Sequence, residues 1–326
     1  MPIGRTEAAV IVTYRCMSRC AMCHTWEHPT HPDEEFEPSL LQRLPNLAFC
    51  NITGGEPFMR DDIDEIIRIV AGKAKRVVIS TNGYLADRII DVAKANPTVG
   101  IRISIEGLPA ANDELRGMKD GFDHGLRTLL ALKRLGLRDV GFGITVSDRN
   151  AGDMLELFEL ADLMRVEFAT AIVHNSFYFH TADNAIADPE AVASRFSSLV
   201  ARLLRSRRVK NWFRAYFNQG LIDRIHGRPR PLPCTAGSDF FFLDPRAEVL
   251  PCNGMEARTG MGNLRETPFD ELWSSPRAEA VREMVAGCDR NCWMIGSAGP
   301  AMRRHLGSVA WWVTRHRVRV MLEPRR

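Results

Sequence analysis

The sequence lacks the features that mark membrane-spanning, exported and low-complexity proteins. No apolar run approaches the roughly 18 residues that cross a bilayer. The segment from Met1 to Tyr14 has neither the long apolar core nor the cleavage site of a signal peptide. The chain also contains no low-complexity tract and no repeat of about 20–50 residues. We therefore expect a cytoplasmic protein built from ordinary globular domains.

The chain also lacks a strong excess of charge of either sign. It has 43 Lys and Arg against 40 Asp and Glu, and the net charge of +3 is too small to argue for nucleic-acid binding. Apolar residues make up 45% and charged residues 25% of the 326 residues, as in an ordinary soluble protein. This length accommodates one large α/β domain and a smaller one.

Cysteine has an unusual arrangement, because three of the eight cysteines, Cys16, Cys20 and Cys23, fall within eight residues. In a chain without an export signal, such spacing favours metal ligands over disulfides. Three thiolates are too few to close a tetrahedral site, so one coordination position stays open, as in catalytic metal sites. A cluster of reduced thiols and one half of a zinc site are the alternatives. Cys50 lies inside a predicted strand and is expected to be a buried thiol.

Apolar, β-branched segments alternate with helical patterns up to residue 205. Strands are predicted over Ala8–Tyr14, Leu47–Thr53, Arg76–Thr81, Val99–Ile105, Val140–Val146 and Val166–His174. Helices are predicted over Asp61–Lys73, Ala86–Ala95, Gly125–Leu135, Ala151–Met164 and Pro189–Arg205. Such alternation predicts an α/β fold with a parallel sheet. Six strand–helix units fit a partial (β/α)6 TIM-like barrel, and a flat doubly wound sheet is the alternative.

Each of the six predicted strands is followed by a polar, glycine-rich or cysteine-rich segment. These segments are Cys16–Cys23, Gly54–Pro57, Thr81–Gly83, Ser104–Gly107, Thr145–Asn150 and His174–Asn175. Because the carboxyl ends of barrel strands meet at one rim, we expect the active site there. Thr81, Asn82 and Val146 either line a ligand pocket or form turns. The substrate-side candidates are His174, Asn175, Tyr178 and His180, although a lone His near a strand end is more often structural.

Two of these segments together resemble the signature of the radical S-adenosylmethionine (SAM) enzymes. Cys16, Cys20 and Cys23 form C-x3-C-x2-C after the first strand, and Gly54–Pro57 is a GGE-type motif after the second. The resemblance covers about residues 8–175. It implies a [4Fe–4S] cluster with one iron left for the amino and carboxylate groups of SAM. One electron would then cleave SAM to methionine and a 5′-deoxyadenosyl radical, which abstracts a hydrogen atom from substrate.

The same resemblance implies which residues bind SAM. The residues implied for its methionine end are Gly54, Gly55, Glu56 and Pro57. The backbone of Met22 would meet adenine, and Ser104 and Glu106 are similar to the family's S-x-D-G segment, with Glu in place of Asp. Arg116 lies in a stretch similar to H-D-x-x-R-G, with Asn112 in place of His. An arginine there would hold the SAM carboxylate bidentately, and a surface salt bridge is the alternative.

Four further cysteines resemble the auxiliary-cluster domain of the SPASM type, in its shortened one-cluster "twitch" form. They are Cys234, Cys252, Cys288 and Cys292. A predicted hairpin, Phe240–Leu243 with Glu248–Leu250, brings the first two together. The second pair is C-x3-C where C-x2-C is usual, and Ala247 replaces an expected hairpin glycine. A closed zinc site with four thiolates is the alternative, and spacing alone does not choose between the metals.

A cluster held by four protein thiolates has no vacancy and would carry electrons, which favours net oxidation of a substrate radical.

We expect a barrel core (1–180), a helical segment and linker (181–233), the auxiliary-cluster domain (234–299) and a basic tail (300–326). The stretch Arg303–Arg326 has seven Arg and one Glu. As a helix with Trp311 and Trp312 it would lie on an anionic membrane surface, bind an acidic partner or a phosphorylated substrate, or pack on the barrel. Its predicted apolar face is Met302, Leu306, Val309, Ala310 and Val313.

These features predict a radical SAM enzyme that oxidises its substrate radical through the auxiliary cluster. The first predicted strand begins by about residue 8, which leaves no room before it for a peptide-recognition domain. We therefore expect a small substrate such as a sugar or an aminocyclitol. The alternatives are a peptide-modifying enzyme with a separate recognition protein, a redox-neutral epimerase with a Cys hydrogen donor, and a zinc- or iron-binding protein without catalysis. The expected partner is an electron donor such as flavodoxin or ferredoxin.

Overall fold

A computed structural model describes residues 6–255 and 258–322, and six parallel strands with their connections form its larger part. The first strand is followed only by short 3-10 helices, and each of the other five is followed by at least one α-helix. The strands are β1 (Glu7–Ile11), β2 (Phe49–Thr53), β3 (Val77–Thr81), β4 (Gly100–Ser104), β5 (Val140–Val146) and β6 (Glu167–Ile172). The helices are α1 (Ile63–Lys73), α2 (Ala86–Ala95), α3 (Pro109–Arg116), α4 (Gly121–Arg134), α5 (Met154–Met164) and α6 (Pro189–Arg205). All six strand predictions are confirmed, with ends that differ by a few residues. The short helix α3 was not predicted.

The strand order confirms the α/β class and the consecutive winding of a partial barrel. The parallel strands lie in the order β6-β5-β4-β3-β2-β1, and the sheet is not closed, because β6 remains at its edge. A doubly wound sheet would reverse its order at a switch point, so that alternative is wrong. Consecutive parallel strands place their carboxyl ends along one edge of the sheet, which positions the six polar segments together.

Apolar strand and helix faces form the core that supports this order. In α1 the buried residues Ile63, Ile66, Ile67 and Val70 recur with helical spacing, so one face of the helix packs inward. Every residue of β1 is buried, which is typical of a strand covered on both faces. The site that follows β1 therefore extends from one of the most buried elements of the protein.

The auxiliary region continues this sheet instead of forming a separate one. The predicted hairpin is confirmed as β7 (Phe240–Leu243) and β8 (Glu248–Leu250), and β8 pairs with β9 (Gly262–Asn263). β7 pairs in parallel with β1, with Glu7 opposite Phe240, so that nine strands form one sheet. Ala247 has a φ of 68°, so the position where glycine was expected does adopt the left-handed conformation.

The remaining helices are α7 (Val209–Ile225), α8 (Phe269–Trp273), α9 (Pro276–Ala286), α10 (Ile295–Arg304) and α11 (Leu306–Leu322). α11 packs against α6 and α7. Val309 and Val313 are buried as predicted, whereas Leu306 and Ala310 are exposed, because the stripe that contacts the neighbouring helices is narrower than predicted. The end of the predicted tail, residues 323–326, lies outside the described residues. Within the described ranges, no helix is both long and apolar enough to cross a membrane.

Candidate active site at the carboxyl edge of the sheet

The cysteine loop after β1 is fixed on one side by the end of α3. The amides of Arg19 and Ala21 donate hydrogen bonds to the carbonyls of Arg116 (3.0 Å) and Leu115 (2.8 Å). Gly117 follows with a φ of 58°, and a Cβ there would lie 2.5 Å from the Arg19 carbonyl oxygen. Only glycine permits so close an approach of the two backbones, so the end of α3 sets the conformation of the loop.

The segment after β6 fixes the other side of the loop. The Thr25 hydroxyl donates to the Tyr178 carbonyl (2.9 Å) and accepts from the Cys23 thiol (3.1 Å). The side-chain amide of Asn184 donates to the Met22 carbonyl (3.1 Å). The loop is therefore held between two elements that are distant in sequence, and the Met22 backbone already has one partner within the protein.

The three loop thiols are partly buried and lie within reach of one another's charge. The pKa of Cys16 is raised to about 12, chiefly by burial and to a smaller extent by Glu56 and Cys20, while a hydrogen bond from the Ser18 backbone and the charge of Arg116 act in the opposite direction. Burial also raises the pKa of Cys20. In the described part of the chain, no group of three or more His, Cys, Asp or Glu side chains stands ready to hold a metal ion. The thiols of Cys16 and Cys20 are thus protonated in the bare protein and would lose their protons on binding metal.

Gly54 and Gly55 pack against the backbone that follows β1. The amides of Gly55 and Glu56 donate to the carbonyls of Thr13 and Arg15, each at 2.8 Å. A Cβ on Gly55 would lie 2.2 Å from the Arg15 carbonyl oxygen, and one on Gly54 would lie 2.4 Å from that of Thr13. The glycines therefore admit the neighbouring backbone, in addition to any ligand that the family resemblance implies. This contact holds the GGE-type motif beside the cysteine loop.

The carboxylate of Glu56 is fully buried and joins the ends of β2 and β3. The Thr81 hydroxyl (2.8 Å) and the amides of Asn82 (2.7 Å) and Phe58 (3.2 Å) donate to it. Burial raises the pKa of Glu56, and these hydrogen bonds act in the opposite direction. The buried Glu56 carboxylate thus links the segments that follow β2 and β3. Pro57 begins the buried turn that comes next.

A buried ion pair, Arg116 with Glu106 at 3.1 Å, lies beside the cysteine loop. Glu106 also accepts a hydrogen bond from the Thr145 amide, and burial raises its pKa against the effect of Arg116. The Nε of Arg116 is buried and has no hydrogen-bond partner among the described residues. The positive charge of Arg116 partly offsets the rise that burial causes in the pKa of Cys16 and Cys20. The pair therefore belongs to the site and is not a surface salt bridge.

Two asparagines without a predicted role complete this part of the rim. The Asn112 side chain accepts from the Glu106 amide (2.8 Å), and Asn150 donates to the carbonyls of Glu106 (2.7 Å) and Thr145 (2.9 Å). Both asparagines are buried, whereas Ser104, which ends β4, is partly exposed. The sequence signal that could have found them is an asparagine a few residues after a strand end. A buried amide side chain needs hydrogen-bond partners, and the neighbouring strand ends can supply them.

Two of the substrate-side candidates, His180 and Asn175, make contacts with neighbouring protein groups. The ring of His180 is exposed and stacks on that of His28, with the centroids 3.9 Å apart. Asn175 exchanges side-chain hydrogen bonds with the Asn184 backbone, at 3.1 and 2.9 Å. These contacts assign Asn175 to the folding of its own segment.

The other two candidates are more buried. Burial and the nearby Arg224 lower the pKa of His174 to about 4, and its Nε2 is buried without a partner among the described residues. Tyr178 is buried, and its hydroxyl donates to the Gly54 carbonyl at 2.7 Å. His174 therefore stays a substrate-side candidate, whereas the Tyr178 side chain points to the GGE-type motif.

Cys252 is the centre of the auxiliary cysteine group. Its pKa is raised to about 11, chiefly by burial and to a smaller extent by the nearby Cys234 and Cys292, while hydrogen bonds from the backbone of Gly254 and Met255 act in the opposite direction. A Cβ on Gly254 would lie 3.5 Å from the Cys292 sulfur. Cys288 is exposed just after α9, and its place in the group stays a prediction from the sequence. Cys50, in β2, is fully buried as expected.

Comparison with known families identifies both parts of the chain. The model of the radical SAM superfamily matches residues 10–161, which include the cysteine loop and the GGE-type motif. The model of the SPASM domain, an iron–sulfur cluster-binding domain, matches residues 234–293, which include the four later cysteines. The second match favours an iron–sulfur cluster over zinc at the auxiliary site.

Individual proteins with known names agree with these models. An AdoMet-dependent heme synthase of Methanosarcina barkeri is 30% identical over 253 residues, which are 72% of this chain and 69% of that protein. The PqqA peptide cyclase of Xanthomonas axonopodis is 22% identical over 277 residues, 82% of this chain and 73% of that protein. The solved structure of anSMEcpe with bound AdoMet covers 95% of this chain and 99% of its own at a TM-score of 0.64. At 12% identity, this last likeness shows the fold alone.

The residues of the site fit the cofactors of this family. Three partly buried thiols on one loop lie beside a guanidinium whose Nε lacks a partner, which suits an anionic cluster and a carboxylate-bearing ligand. The cofactors are SAM, a SAM-binding 4Fe–4S cluster and the auxiliary iron–sulfur cluster of the SPASM domain. The chain therefore belongs to the radical SAM superfamily of enzymes and carries a C-terminal SPASM domain.

Proposed function

We propose that this protein removes a hydrogen atom from a small substrate and passes the remaining unpaired electron to its auxiliary cluster. When bound, the first cluster and SAM supply a 5′-deoxyadenosyl radical through one-electron cleavage of the sulfonium. The observation that carries the proposal is the cysteine loop beside the buried Arg116–Glu106 pair. The net change would be a two-electron oxidation of the substrate, in which one electron leaves with the hydrogen atom, one enters the auxiliary cluster, and the loss of a proton, or of carbon dioxide from a carboxylate, balances the charge.

The residues of the first site take distinct proposed roles. Cys16, Cys20 and Cys23 would hold three irons of the first cluster and would leave the fourth for SAM. Arg116 binds the SAM carboxylate through the side of its guanidinium that lacks a partner, while Glu106 fixes its orientation. The other proposed SAM contacts, which follow from the family resemblance, are Met22, Gly54, Gly55, Glu56, Pro57 and Ser104.

The proposed ligands of the auxiliary cluster are Cys234, Cys252, Cys288 and Cys292. The proximity of Cys234 and Cys292 to Cys252, whose pKa they help to raise, supports three of them. Arg224 lies near enough to Cys292 for their charges to interact, and it forms no ion pair with a carboxylate of the described residues. A positive charge there would favour the reduced form of a cluster, which suits an electron acceptor.

We place a carboxylate-bearing, heme-type tetrapyrrole ahead of other substrates. The relative that is 30% identical is named as a heme synthase, whereas the peptide cyclase is 22% identical. The charge of Arg224 also reaches His174, at the end of β6, so an anionic substrate between the rim and the auxiliary cysteines would meet a cation. These observations favour a tetrapyrrole over a sugar or an aminocyclitol. A peptide is the second candidate, supported by the extent of the match to the peptide cyclase.

Substrate-dependent cleavage of SAM distinguishes these candidates. Anaerobically reconstituted protein receives SAM, a strong reductant and either iron coproporphyrin III, an aminocyclitol or no further addition. We expect iron coproporphyrin III alone to raise 5′-deoxyadenosine formation severalfold above the background. Arg224→Gln should lose this rise, and Arg228→Gln, an exposed arginine four residues on, should keep it. A rise with the aminocyclitol only, or with neither compound, would contradict the tetrapyrrole proposal.

We also propose that α11 contacts an anionic membrane surface. Its outer face exposes Trp311, Val318, Met321 and Leu322, and an apolar groove of about 520 Å³ lies between α7 and α11. The described residues from 290 to 322 include six arginines and no Asp or Glu. Exposed apolar residues with Trp, framed by arginine, are typical of helices at a lipid interface. A second copy of the chain would bring the same arginines together, which disfavours a symmetric dimer through this face.

Vesicle co-sedimentation tests this contact. We expect the protein to bind vesicles that contain phosphatidylglycerol but not vesicles of phosphatidylcholine alone, and salt should weaken the binding. Trp311→Ser should reduce binding, while Leu163→Ser, at an exposed leucine of α5, should leave it unchanged. Equal binding to both kinds of vesicle, or none to either, would exclude an anionic membrane as the partner.

The division into a barrel core (1–180), a linker (181–233), an auxiliary domain (234–299) and a basic tail (300–326) stays a prediction. So do the electron donor, a flavodoxin or a ferredoxin, and the cytoplasmic location. The continuous sheet argues for treating the first and third regions as one folding unit.

A further inference from the structure

Tyr178 lies where the GGE-type motif, the cysteine loop and the segment after β6 meet. It is buried, and its hydroxyl donates a 2.7 Å hydrogen bond to the Gly54 carbonyl. Burial raises the pKa of Tyr178, and Cys23 and Cys16 are near enough to raise it further. The side chain therefore lies near the thiols and contacts the motif that is proposed to hold the methionine end of SAM.

The peptide plane between Gly54 and Gly55 is held at both of its ends. The Gly55 amide donates to the Thr13 carbonyl at 2.8 Å, and the Gly54 carbonyl accepts from Tyr178 on the opposite side. Rotation of a peptide plane between two glycines meets little steric resistance, because neither residue has a Cβ. Two hydrogen bonds are therefore what fixes the direction of this carbonyl, and Tyr178 supplies one of them.

Further hydrogen bonds fix the backbone of Tyr178 itself. Its carbonyl accepts from the Thr25 hydroxyl (2.9 Å), and its amide donates to the Ser176 hydroxyl (3.0 Å). Ser176 in turn donates to the carbonyl of Asn253, in the auxiliary loop. A continuous chain of hydrogen bonds thus runs from the auxiliary loop through Tyr178 to Gly54.

We propose that Tyr178 is a positioning residue for SAM, whose hydroxyl fixes the Gly54–Gly55 peptide plane so that this motif can accept from the SAM ammonium group. The inference rests on the proposed contact between the GGE-type motif and SAM. A carbonyl oxygen has two lone pairs, so the hydrogen bond from Tyr178 leaves one for a ligand. The role is separate from iron binding, since the hydroxyl bonds to Gly54 and not to a thiol.

The test removes the hydroxyl and keeps the ring. Tyr178→Phe is compared with wild type and with Tyr84→Phe, an exposed tyrosine whose ring contacts His124. Full-length, anaerobically reconstituted protein is used with SAM and a strong reductant, without substrate. We expect Tyr178→Phe to bind as much iron as wild type and to show a KM for SAM that is about three- to tenfold higher, with little change in kcat. Tyr84→Phe should match wild type.

A second readout follows SAM binding without cleavage. Addition of SAM changes the electron paramagnetic resonance spectrum of the reduced first cluster, and Tyr178→Phe should require correspondingly more SAM for the same change. Ser176→Ala keeps the Tyr178 side chain and should raise the SAM requirement by a smaller factor. Unchanged SAM affinity in Tyr178→Phe would overturn the inference, and loss of iron would show that Tyr178 instead holds the cysteine loop. Wild type that binds SAM without cleaving it would count against the proposed function, while the affinity comparison would still decide the role of Tyr178.

Discussion

At the scale of single residues, backbone contacts that admit no side chain set the geometry of the site. A Cβ on Gly55 would lie 2.2 Å from the Arg15 carbonyl oxygen, and one on Gly117 would lie 2.5 Å from that of Arg19. Both contacts press on the backbone that carries or precedes the cysteines. A carbonyl oxygen in the main chain cannot move aside as the end of a flexible side chain can, so these glycines have a steric reason to be glycine.

Gly55→Ala tests the rigidity of this backbone contact, with Gly72→Ala in α1 as its control. A Cβ on Gly72 would meet nothing within 4 Å. We expect Gly55→Ala to lower the free energy of unfolding by about 2–4 kcal/mol and Gly72→Ala to raise it by up to about 1 kcal/mol. Denaturant unfolding followed by circular dichroism measures both. Equal stability of Gly55→Ala and wild type would mean that the Arg15 backbone moves freely, contrary to the proposed rigidity of the rim.

Local sequence patterns predicted part of the site, whereas its contacts between residues distant in sequence were not predictable. The cysteine spacing and the Gly54–Gly55 pair are local patterns, so they are visible in the sequence. The partner of Tyr178 is 124 residues earlier, and that of Asn150 is 44 residues earlier. Such pairings depend on which strand ends become neighbours, and this is fixed only by the assembled sheet. For the same reason the hydrogen bond from Tyr178 to Gly54 was not predicted.

At the scale of elements, the pairing of β7 with β1 joins the auxiliary region to the barrel. The hairpin of β7 and β8 was predictable, because its two apolar strands lie on either side of a short turn. The parallel pairing of β7 with β1 was not, because it links residues more than two hundred positions apart and leaves no local pattern. The auxiliary region therefore looks separate in sequence and is continuous in structure.

Phe241→Ala tests the energetic importance of this continuity. Phe241 is fully buried in β7, and its ring contacts those of Phe269 and Trp273. We expect a loss of about 3–5 kcal/mol in the free energy of unfolding. Because β7 shares the sheet with β1, circular dichroism and tryptophan fluorescence should report one coincident transition. Leu163→Ala, at an exposed position, should change little. Two separate transitions would show that the auxiliary region unfolds independently.

At the amino ends of the strands, Asp139, just before β5, pairs with Arg76, just before β3, and with Arg102 in β4. Arg76 donates to it at 2.8 and 3.1 Å, and Arg102 also pairs with it. Burial acts to raise the pKa of Asp139, but the hydrogen bonds from Arg76 and Arg102 outweigh it and hold the pKa well below its usual range. A lowered carboxyl pKa adds stability above the unfolded-state pKa, and that stability is lost as the pH falls.

Asp139→Asn tests this contribution. We expect the variant to be about 1–2 kcal/mol less stable than wild type at pH 7, and the difference to shrink once the pH falls below about 4. Asp183→Asn, at an exposed aspartate, is the control. Unfolding by urea over a range of pH values measures the effect. A difference that is the same at pH 3 and pH 7 would contradict the role of the ion pairs.

At the scale of the whole molecule, the segment after β6 connects the two cysteine groups. Asn184 donates to Met22 in the cysteine loop, and Ser176 donates to Asn253 beside Cys252. Arg224 adds a charge that reaches both His174 and Cys292. This arrangement gives a physical route by which the SAM site and the auxiliary site are kept in fixed relation. It also explains why the family could be predicted from motifs, whereas the substrate requires side chains that only the fold brings together.

The most direct test of radical initiation is the formation of 5′-deoxyadenosine from SAM by anaerobically reconstituted protein with a strong reductant. Wild type is compared with a variant in which Cys16, Cys20 and Cys23 are all replaced by Ala. We expect product from wild type and none from the variant. The variant should still bind about half of the wild-type iron, because the cysteines of its auxiliary cluster are intact. Wild-type protein with a fully loaded first cluster that forms no 5′-deoxyadenosine would contradict the assignment of radical SAM chemistry to this site.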